Sequence, residues 1–174
     1  MLNWNPSLIE ELQSAVKNDS FWSDYLGSYI SQSAPFAIHL AIFVDPYLDL
    51  VLKGHKTIES RFSSRRVMPY GRVNSGDMVL LKKSGGDIVG LCLIAHAWYY
   101  HLDIHSWQAI REDYAKALCA QDPAFWDKRK AASFATLMQL GEVRRISPIS
   151  IDKRDRRGWV LLHSQQQKLG GLEL

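Results

Sequence analysis

Residues 36–62, FAIHLAIFVDPYLDLVLKGHKTIESRF, decide the fold because their hydrophobic pattern changes twice within one short stretch. Residues 36–44 are apolar and rich in β-forming side chains, which predicts a buried strand. Asp45-Pro46 predicts the start of a helix, with Asp as the cap and Pro at the first helical position. Gly54 marks the end of that helix, and residues 56–62 are predicted as a second strand.

The rest of the chain predicts further short strands separated by turns and helices. Residues 78–82 and 88–99 flank the turn SGGD and predict a hairpin. More strands are expected at 134–140, 143–146 and 158–163, and helices at 106–119 and from 122 to about 130. This order indicates an α+β domain or a small barrel rather than a doubly wound sheet.

Residues 1–33 differ from the remainder in charge and in pattern. They carry one basic and four acidic residues, a net −3, so that with a total charge of +3 the remaining residues carry +6. Two apolar stripes at helical spacing are formed by Leu8, Leu12, Ala15 and Val16, and by Phe21, Trp22, Tyr25, Leu26 and Tyr29. We expect a helical extension whose aromatic stripe packs on a domain over 34–165, followed by a flexible tail over 166–174. A partner-binding surface is the alternative for the stripe.

Composition excludes several classes of protein. The 174 residues are 47% hydrophobic and 22% charged, which excludes collagen-like, coiled-coil and wholly disordered chains. Two cysteines are too few for a disulfide-stapled scaffold or a cysteine-based zinc site. The start, MLNWNPSLIEEL, lacks the pattern of a signal peptide, and no apolar run approaches the roughly 18 residues that span a bilayer. We therefore expect a protein of the reducing cytoplasm, with no membrane partner.

The segment GHKTIESR, residues 54–61, groups charged side chains in the manner of a binding site. Alternate residues of a strand share a face, so Glu59 and Arg61 point the same way, and Lys56 reaches that face from the strand's start. A carboxylate between two cations holds both in a fixed geometry, which is expected to leave the Arg61 guanidinium for a phosphate or carboxylate. The alternative is an ion pair on a solvated face.

GHKTIESR resembles the G-x-K-x-x-E-x-R motif of ASCH domains, with Gly54, Lys56, Glu59 and Arg61 at its fixed positions. The flanking DPYLDLVLKG, NSGDMVLLKKSGGDIVGLCLIA, QLGEVRRISPI and RGWVLL resemble the family in the same order, over about residues 36–165. The resemblance implies a PUA-like fold, a small β-barrel of about six strands with peripheral helices. It also implies RNA or nucleotide binding in a cleft beside the motif. Some members are similar to nucleoside-processing amidohydrolases, a branch with Thr in place of Glu59, and others are nucleases or DNA binders.

Basic residues concentrate in two regions. Residues 56–83 hold seven basic residues against two acidic, and residues 142–157 hold six against three. If the last strand lies near the motif, both clusters of basic residues border one cleft, and that cleft attracts phosphates. The alternative is that the two clusters are only solvated charged faces. The residues expected to bind nucleic acid are Lys56, Glu59, Arg61, Arg65, Arg66, Tyr70, Lys82, Arg144, Arg154, Arg156 and Arg157. Tyr70 and Trp159 offer stacking faces for unpaired bases, although Trp159 begins an apolar strand and fits the core better.

Other candidate sites carry less information. His101, Asp103 and His105 would share a side in an extended segment and could hold a metal. We expect instead that Asp103 or Ser106 caps the following helix, and that no metal or other cofactor is bound. Cys92 lies in an apolar strand, which argues against a catalytic thiol.

Three classes of function remain open. The first is a monomeric module that binds RNA or a single strand and recognises a nucleotide or modified nucleoside in the cleft. The second is a hydrolase of a modified nucleoside or an RNA phosphodiester, with Lys56 and Glu59 as catalytic residues. The adjacent Glu59 carboxylate opposes that role because it favours the charged form of Lys56. The third is a protein-interaction module that uses the N-terminal aromatic helices.

Overall fold

The computed structural model describes residues 6–33, 36–152 and 156–164, so Arg154 and the predicted tail lie outside the described residues. Within these residues the helices are α1 (Pro6–Val16), α2 (Ser20–Ile30), α3 (Tyr47–Leu52), α4 (Ile104–Tyr114) and α5 (Pro123–Asp127). The strands are β1 (Ala37–Phe43), β2 (Ile58–Ser63), β3 (Met78–Lys83), β4 (Ile88–His101), β5 (Phe134–Ile149) and β6 (Trp159–Ser164). The α+β class expected from the sequence is therefore confirmed. None of the described helices combines the length and the apolar character needed to cross a bilayer.

The six strands form one sheet in the order β2-β5-β4-β3-β1-β6. β1 pairs in parallel with β3, and the other neighbours are antiparallel. Among the described residues β2 and β6 are the two edges and share no backbone ladder. The sheet is therefore open, and the barrel expected from the sequence is not closed by backbone pairing.

The N-terminal layer, which we define as residues 6–30 with α1, α2 and the turn between them, covers one face of the sheet. Alternate residues of β1 point to opposite faces, and Ile38 and Leu40 join the hydrophobic cluster that Leu12 and Trp22 of this layer complete. Most of the predicted apolar stripe is buried, which confirms that it packs on the sheet, whereas Phe21 remains 37% exposed. The extension is thus part of the hydrophobic core.

The opposite face of the sheet is covered by the shorter helices. Phe43 of β1 faces this side and packs in a cluster with Leu48 and Val51 of α3. A further cluster joins α4 and α5 to β2 and β5, and its members include Ile58 and Phe125. These helices leave open space above β2, which is where the candidate site lies.

The predicted strands at 134–140 and 143–146 are one continuous strand, β5. The sequence QLGEV suggested a break, but the ladder with β4 continues through an irregularity, with Leu93 opposite Gly141 and Leu91 opposite Arg144. Glu142 has a φ of 48° at this bulge. Its carbonyl accepts a 2.9 Å hydrogen bond from Nε1 of Trp22, so the N-terminal layer is anchored at the bulge.

The predicted cap of α3 is wrong. Pro46 occupies the N-cap position, and no side chain caps the helix. The Asp45 carboxylate instead lies 3.1 Å from the Lys83 ammonium at the end of β3. An ion pair between chain segments has therefore replaced the local capping interaction.

Helix α4 is displaced from its predicted bounds of 106–119. It begins after Asp103, whose side chain forms a capping box with Ser106, and it ends at Tyr114. Residues 115–119 turn away from the helix, and the Ala117 carbonyl accepts hydrogen bonds from the backbone of Thr57 and Ile58 at 3.0 and 3.1 Å. The helix thus ends before Ala117, whose carbonyl pairs with the start of β2.

Candidate functional site

Lys56 is positioned by the backbone on both sides of it. Gly54, with a φ of 74°, follows the end of α3 as the sequence predicts. The backbone N–H of Lys56 then donates to the Leu50 carbonyl at 3.0 Å, while that of Thr57 donates to Ala117. The Lys56 side chain is thus placed between α3, the turn that follows α4, and β2.

The Lys56 ammonium is buried, with 2% of the residue exposed, and is surrounded by acceptors. Its Nζ donates to the carbonyls of Ile58 at 2.7 Å and Leu118 at 3.1 Å. Glu59 Oε2 lies 3.4 Å away. Burial lowers the pKa of Lys56 from its usual value, against the smaller opposing effect of the Glu59 carboxylate. Three acceptors therefore stand around the three N–H groups of this ammonium.

The Glu59–Arg61 pair extends the cluster across the edge of the sheet. Arg61 Nε lies 2.8 Å from Glu59 Oε1. Nη1 of Arg61 donates to the Gly158 carbonyl and Nη2 to the Ile42 carbonyl, each at 3.1 Å. The guanidinium is therefore not left free, contrary to the expectation from the sequence. It forms what we call the Arg61 bridge, a side-chain link from β2 to the residue that precedes β6.

Aromatic rings support the Arg61 bridge from either side. The guanidinium carbon lies 5.2 Å from the Phe43 ring centroid and 5.3 Å from that of Trp159.

Trp159 is 3% exposed, which confirms it as a core residue. Its Nε1 donates to His39 Nδ1 at 3.2 Å, and His39 Nε2 lies 3.1 Å from Asp77 Oδ2. Because the indole only donates, His39 carries its proton on Nε2.

A cleft of about 420 Å³ opens above this cluster, and we call it the motif cleft. Its charged lining consists of four cations and one carboxylate: Lys56, Glu59, Arg61, Arg129 and Arg156. Its aromatic lining consists of Phe43, Tyr47, Phe62 and Phe125. The cleft therefore combines a net positive charge with flat apolar surfaces.

Arg129 and Phe125 line the cleft although neither is among the residues predicted from the sequence. Phe125 lies in α5 and Arg129 two residues beyond its end; the guanidinium carbon is 3.6 Å from the Phe125 ring centroid. Arg129 Nη1 also donates to the Phe125 carbonyl at 2.6 Å. Their i, i+4 spacing was a signal for the pair, but only the packing of α5 against β2 brings the pair to the motif.

A second depression, the basic trough, lies beside the motif cleft and shares Arg156 with it. Its volume is about 560 Å³, and Lys82, Asp87, Asp152 and Arg157 also line it. Lys82 is buried and its ammonium donates to the Gly86 carbonyl, which holds it within the β3–β4 hairpin. The trough therefore joins the two regions whose basic residues the sequence analysis grouped.

Four other predicted binding residues do not line the motif cleft. Arg65 and Arg66 are exposed on the loop after β2, and the Arg66 guanidinium lies 5.3 Å from the Phe134 ring centroid. Tyr70 is half-buried and packs edge-on against Phe134 and Tyr99. Arg144 pairs with Asp19 of the N-terminal layer and does not line the motif cleft. Its charge therefore belongs to the opposite face of the sheet.

The alternative metal and thiol sites lack the required geometry. Asp103 caps α4, as expected, and residues 6–33, 36–152 and 156–164 contain no group of three or more potential ligands among His, Cys, Asp and Glu. Cys92 is buried, and burial raises the pKa of its thiol, so the reactive thiolate is disfavoured.

Comparison with solved structures identifies the class of fold as that of the ASCH domain. The crystal structure of ASCH from Zymomonas mobilis is similar with a TM-score of 0.59 and 12% identity, over 73% of this chain and 88% of that chain. A point mutant of the Z. mobilis protein gives a TM-score of 0.60 and 13% identity, over 75% of this chain and 92% of that chain. No family model and no curated protein matches the chain. The resemblance in the sequence is thus confirmed for the fold.

Proposed function

We propose that this protein binds single-stranded nucleic acid, with RNA as the preferred strand, and takes one nucleotide into the motif cleft. The observation that carries the proposal is one cleft of about 420 Å³ in which the half-buried rings of Tyr47 and Phe62 lie beside the cations Arg129 and Arg156. Aromatic faces stack on unpaired bases, while cations attract the phosphate backbone. This surface suits a strand whose bases are free to leave the stack.

The basic trough extends the proposed surface beyond one nucleotide. Arg156 lines both depressions, so a strand leaving the motif cleft meets Lys82 and Arg157 next. Arg65 and Arg66 are exposed on the loop that follows β2. We place the phosphates flanking the bound nucleotide along these residues.

The test is fluorescence anisotropy with a labelled single-stranded RNA, the matching DNA strand and an RNA duplex, each at several salt concentrations. The wild-type protein is expected to bind RNA most tightly, with an affinity that falls as salt rises. Arg156→Gln should weaken binding, whereas Arg144→Gln removes the same charge from the opposite face and should not. Equal losses in the two variants, or no binding by the wild type, would contradict the proposal.

A hydrolase is the second candidate, and burial of Lys56 favours it. The lowered pKa of this ammonium brings it nearer to use as a base. However, its Nζ donates to Ile58 and Leu118, and these bonds stabilise the charged form. To test this candidate, the wild-type protein is incubated with modified nucleosides and with RNA, and the mixtures are analysed by chromatography. A new product would support a hydrolase, and the absence of any product would contradict it.

A further inference from the structure

The cations of the motif differ from the other cations of the motif cleft in what already contacts them. Lys56 Nζ has two carbonyl acceptors and Glu59 around it. Arg61 donates to two carbonyls and pairs with Glu59. Both side chains are therefore committed to partners inside the protein, and a ligand would have to displace those partners to reach them.

Arg129 is the contrasting case. One of its nitrogens donates to the Phe125 carbonyl, and its guanidinium stacks on the Phe125 ring. Among the described residues it forms no ion pair with a carboxylate. Partial burial lowers the pKa of Arg129, while Tyr47 and the Glu59 carboxylate oppose this shift and the Arg61 charge adds weakly to it. A half-buried cation with no carboxylate in contact keeps part of its desolvation cost, and a bound anion would reduce that cost.

The shape of the site indicates the kind of anion. A guanidinium presents a planar set of donors that matches the oxygens of a phosphate, and stacking on Phe125 holds its plane in place. The rings of Tyr47 and Phe62 lie in the same cleft and offer surfaces for the base attached to that phosphate. The site therefore fits a nucleotide better than a neutral nucleoside.

From this geometry we infer that Arg129 is the residue that binds the phosphate of the nucleotide in the motif cleft, while Lys56 and Arg61 shape the cleft from within. The inference rests on the proposed function, since it assigns a role within the same site. It moves the ligand contact from the recognisable motif to a residue that the motif does not contain.

The test measures RNA affinity across a salt series for the wild-type protein, Arg129→Gln and Lys128→Gln. Lys128 is exposed, adjacent in sequence and absent from the cleft lining, so its variant controls for the loss of one charge. Arg129→Gln should bind about tenfold more weakly. Its slope of log affinity against log salt should fall by about 0.7, the value for one phosphate contact on a single strand. Lys128→Gln should keep the wild-type slope.

The outcomes separate this inference from the proposed function. If the wild type binds RNA and a folded Arg129→Gln protein binds equally well, the inference is overturned and the proposed function stands. If the wild type binds neither RNA nor DNA, both are overturned. If Arg129→Gln does not fold, the inference is tested by NMR on the wild-type protein, through the assigned Nε–H resonance of Arg129. A shift of this resonance on RNA addition supports the contact, and an unmoved resonance overturns it.

Discussion

The two faces of the sheet are filled in opposite ways. The N-terminal layer closes one face with apolar side chains, and Trp22 and Leu12 there are fully buried. On the other face the buried charges Lys56 and Glu59 stand below an open cleft of about 420 Å³. The two faces of one sheet therefore have different roles. Burial of apolar area on one face stabilises the fold, and the open polar cleft on the other face is suited to a ligand.

The largest effect is expected on the closed face. Trp22→Ala removes a side chain with 0% exposure and leaves the Glu142 carbonyl without its indole donor. We expect a loss of about 4 kcal/mol in the free energy of unfolding, because the cavity cannot fill. Urea denaturation followed by circular dichroism measures it. Phe21→Ala, at the 37% exposed neighbour, is the control and should cost far less.

A smaller loss is expected below the motif cleft. Glu59→Gln keeps the shape of the side chain but leaves the Lys56 and Arg61 charges without their carboxylate. Removing one partner of a buried pair costs about 3 kcal/mol. Urea denaturation again gives the value. Asp49→Asn in the exposed Asp49–Lys53 pair is the control, and an equal loss in both variants would show that burial of the Glu59 pair is unimportant.

The third prediction concerns alkaline pH and the closed face. Burial raises the pKa of Tyr29 from 10.0 to about 12. The unfolded chain therefore loses the phenol proton first, and stability that is present below pH 10 falls as the pH rises towards about 12. The contribution reaches about 2 kcal/mol. Urea denaturation at pH 10 and at about pH 12 measures the loss in the free energy of unfolding, which should be smaller for Tyr29→Phe than for the wild type. Equal losses would contradict the prediction.

The smallest effect is expected at the surface of the closed face. The backbone N–H of Trp22 and then Arg144 lower the pKa of the Asp19 carboxyl. Its contribution is therefore present above the ordinary pKa of 3.8 and is lost as the pH falls further. Asp19→Asn keeps a capping side chain and removes the charge, so only a slight change in acid unfolding is expected. Thermal melting across acidic pH checks it, and a large change near neutral pH would contradict it.

The sequence predicted the local features of the candidate site well. The spacing of Lys56, Glu59 and Arg61 placed them together because strand alternation is a local property. Gly54 and the Asp103 cap were found for the same reason, since each acts within a few residues. The ASCH-like order of elements also followed from short patterns.

The missed features depend on contacts between distant segments. Arg129 reaches the motif only because α5 packs against β2, and no local pattern contains that contact. The Arg61 guanidinium donates to the carbonyls of Gly158 and Ile42 only because the whole sheet is curved enough to bring β2 near the start of β6. Arg144 was assigned to the cleft by its charge, yet its partner Asp19 lies in the N-terminal layer. Charge patterns therefore identified these cations but not the partners that lie in distant segments of the chain.

The Arg61 bridge also limits how far the two ends of the strand order can move apart. β2 and β6 are the two edges of the sheet, and no backbone ladder joins them among the described residues. The Arg61 guanidinium nevertheless reaches from β2 to the carbonyl of Gly158, the residue before β6, and to that of Ile42 in β1. We therefore expect this arginine to act as a tether that restricts opening of the sheet at this end.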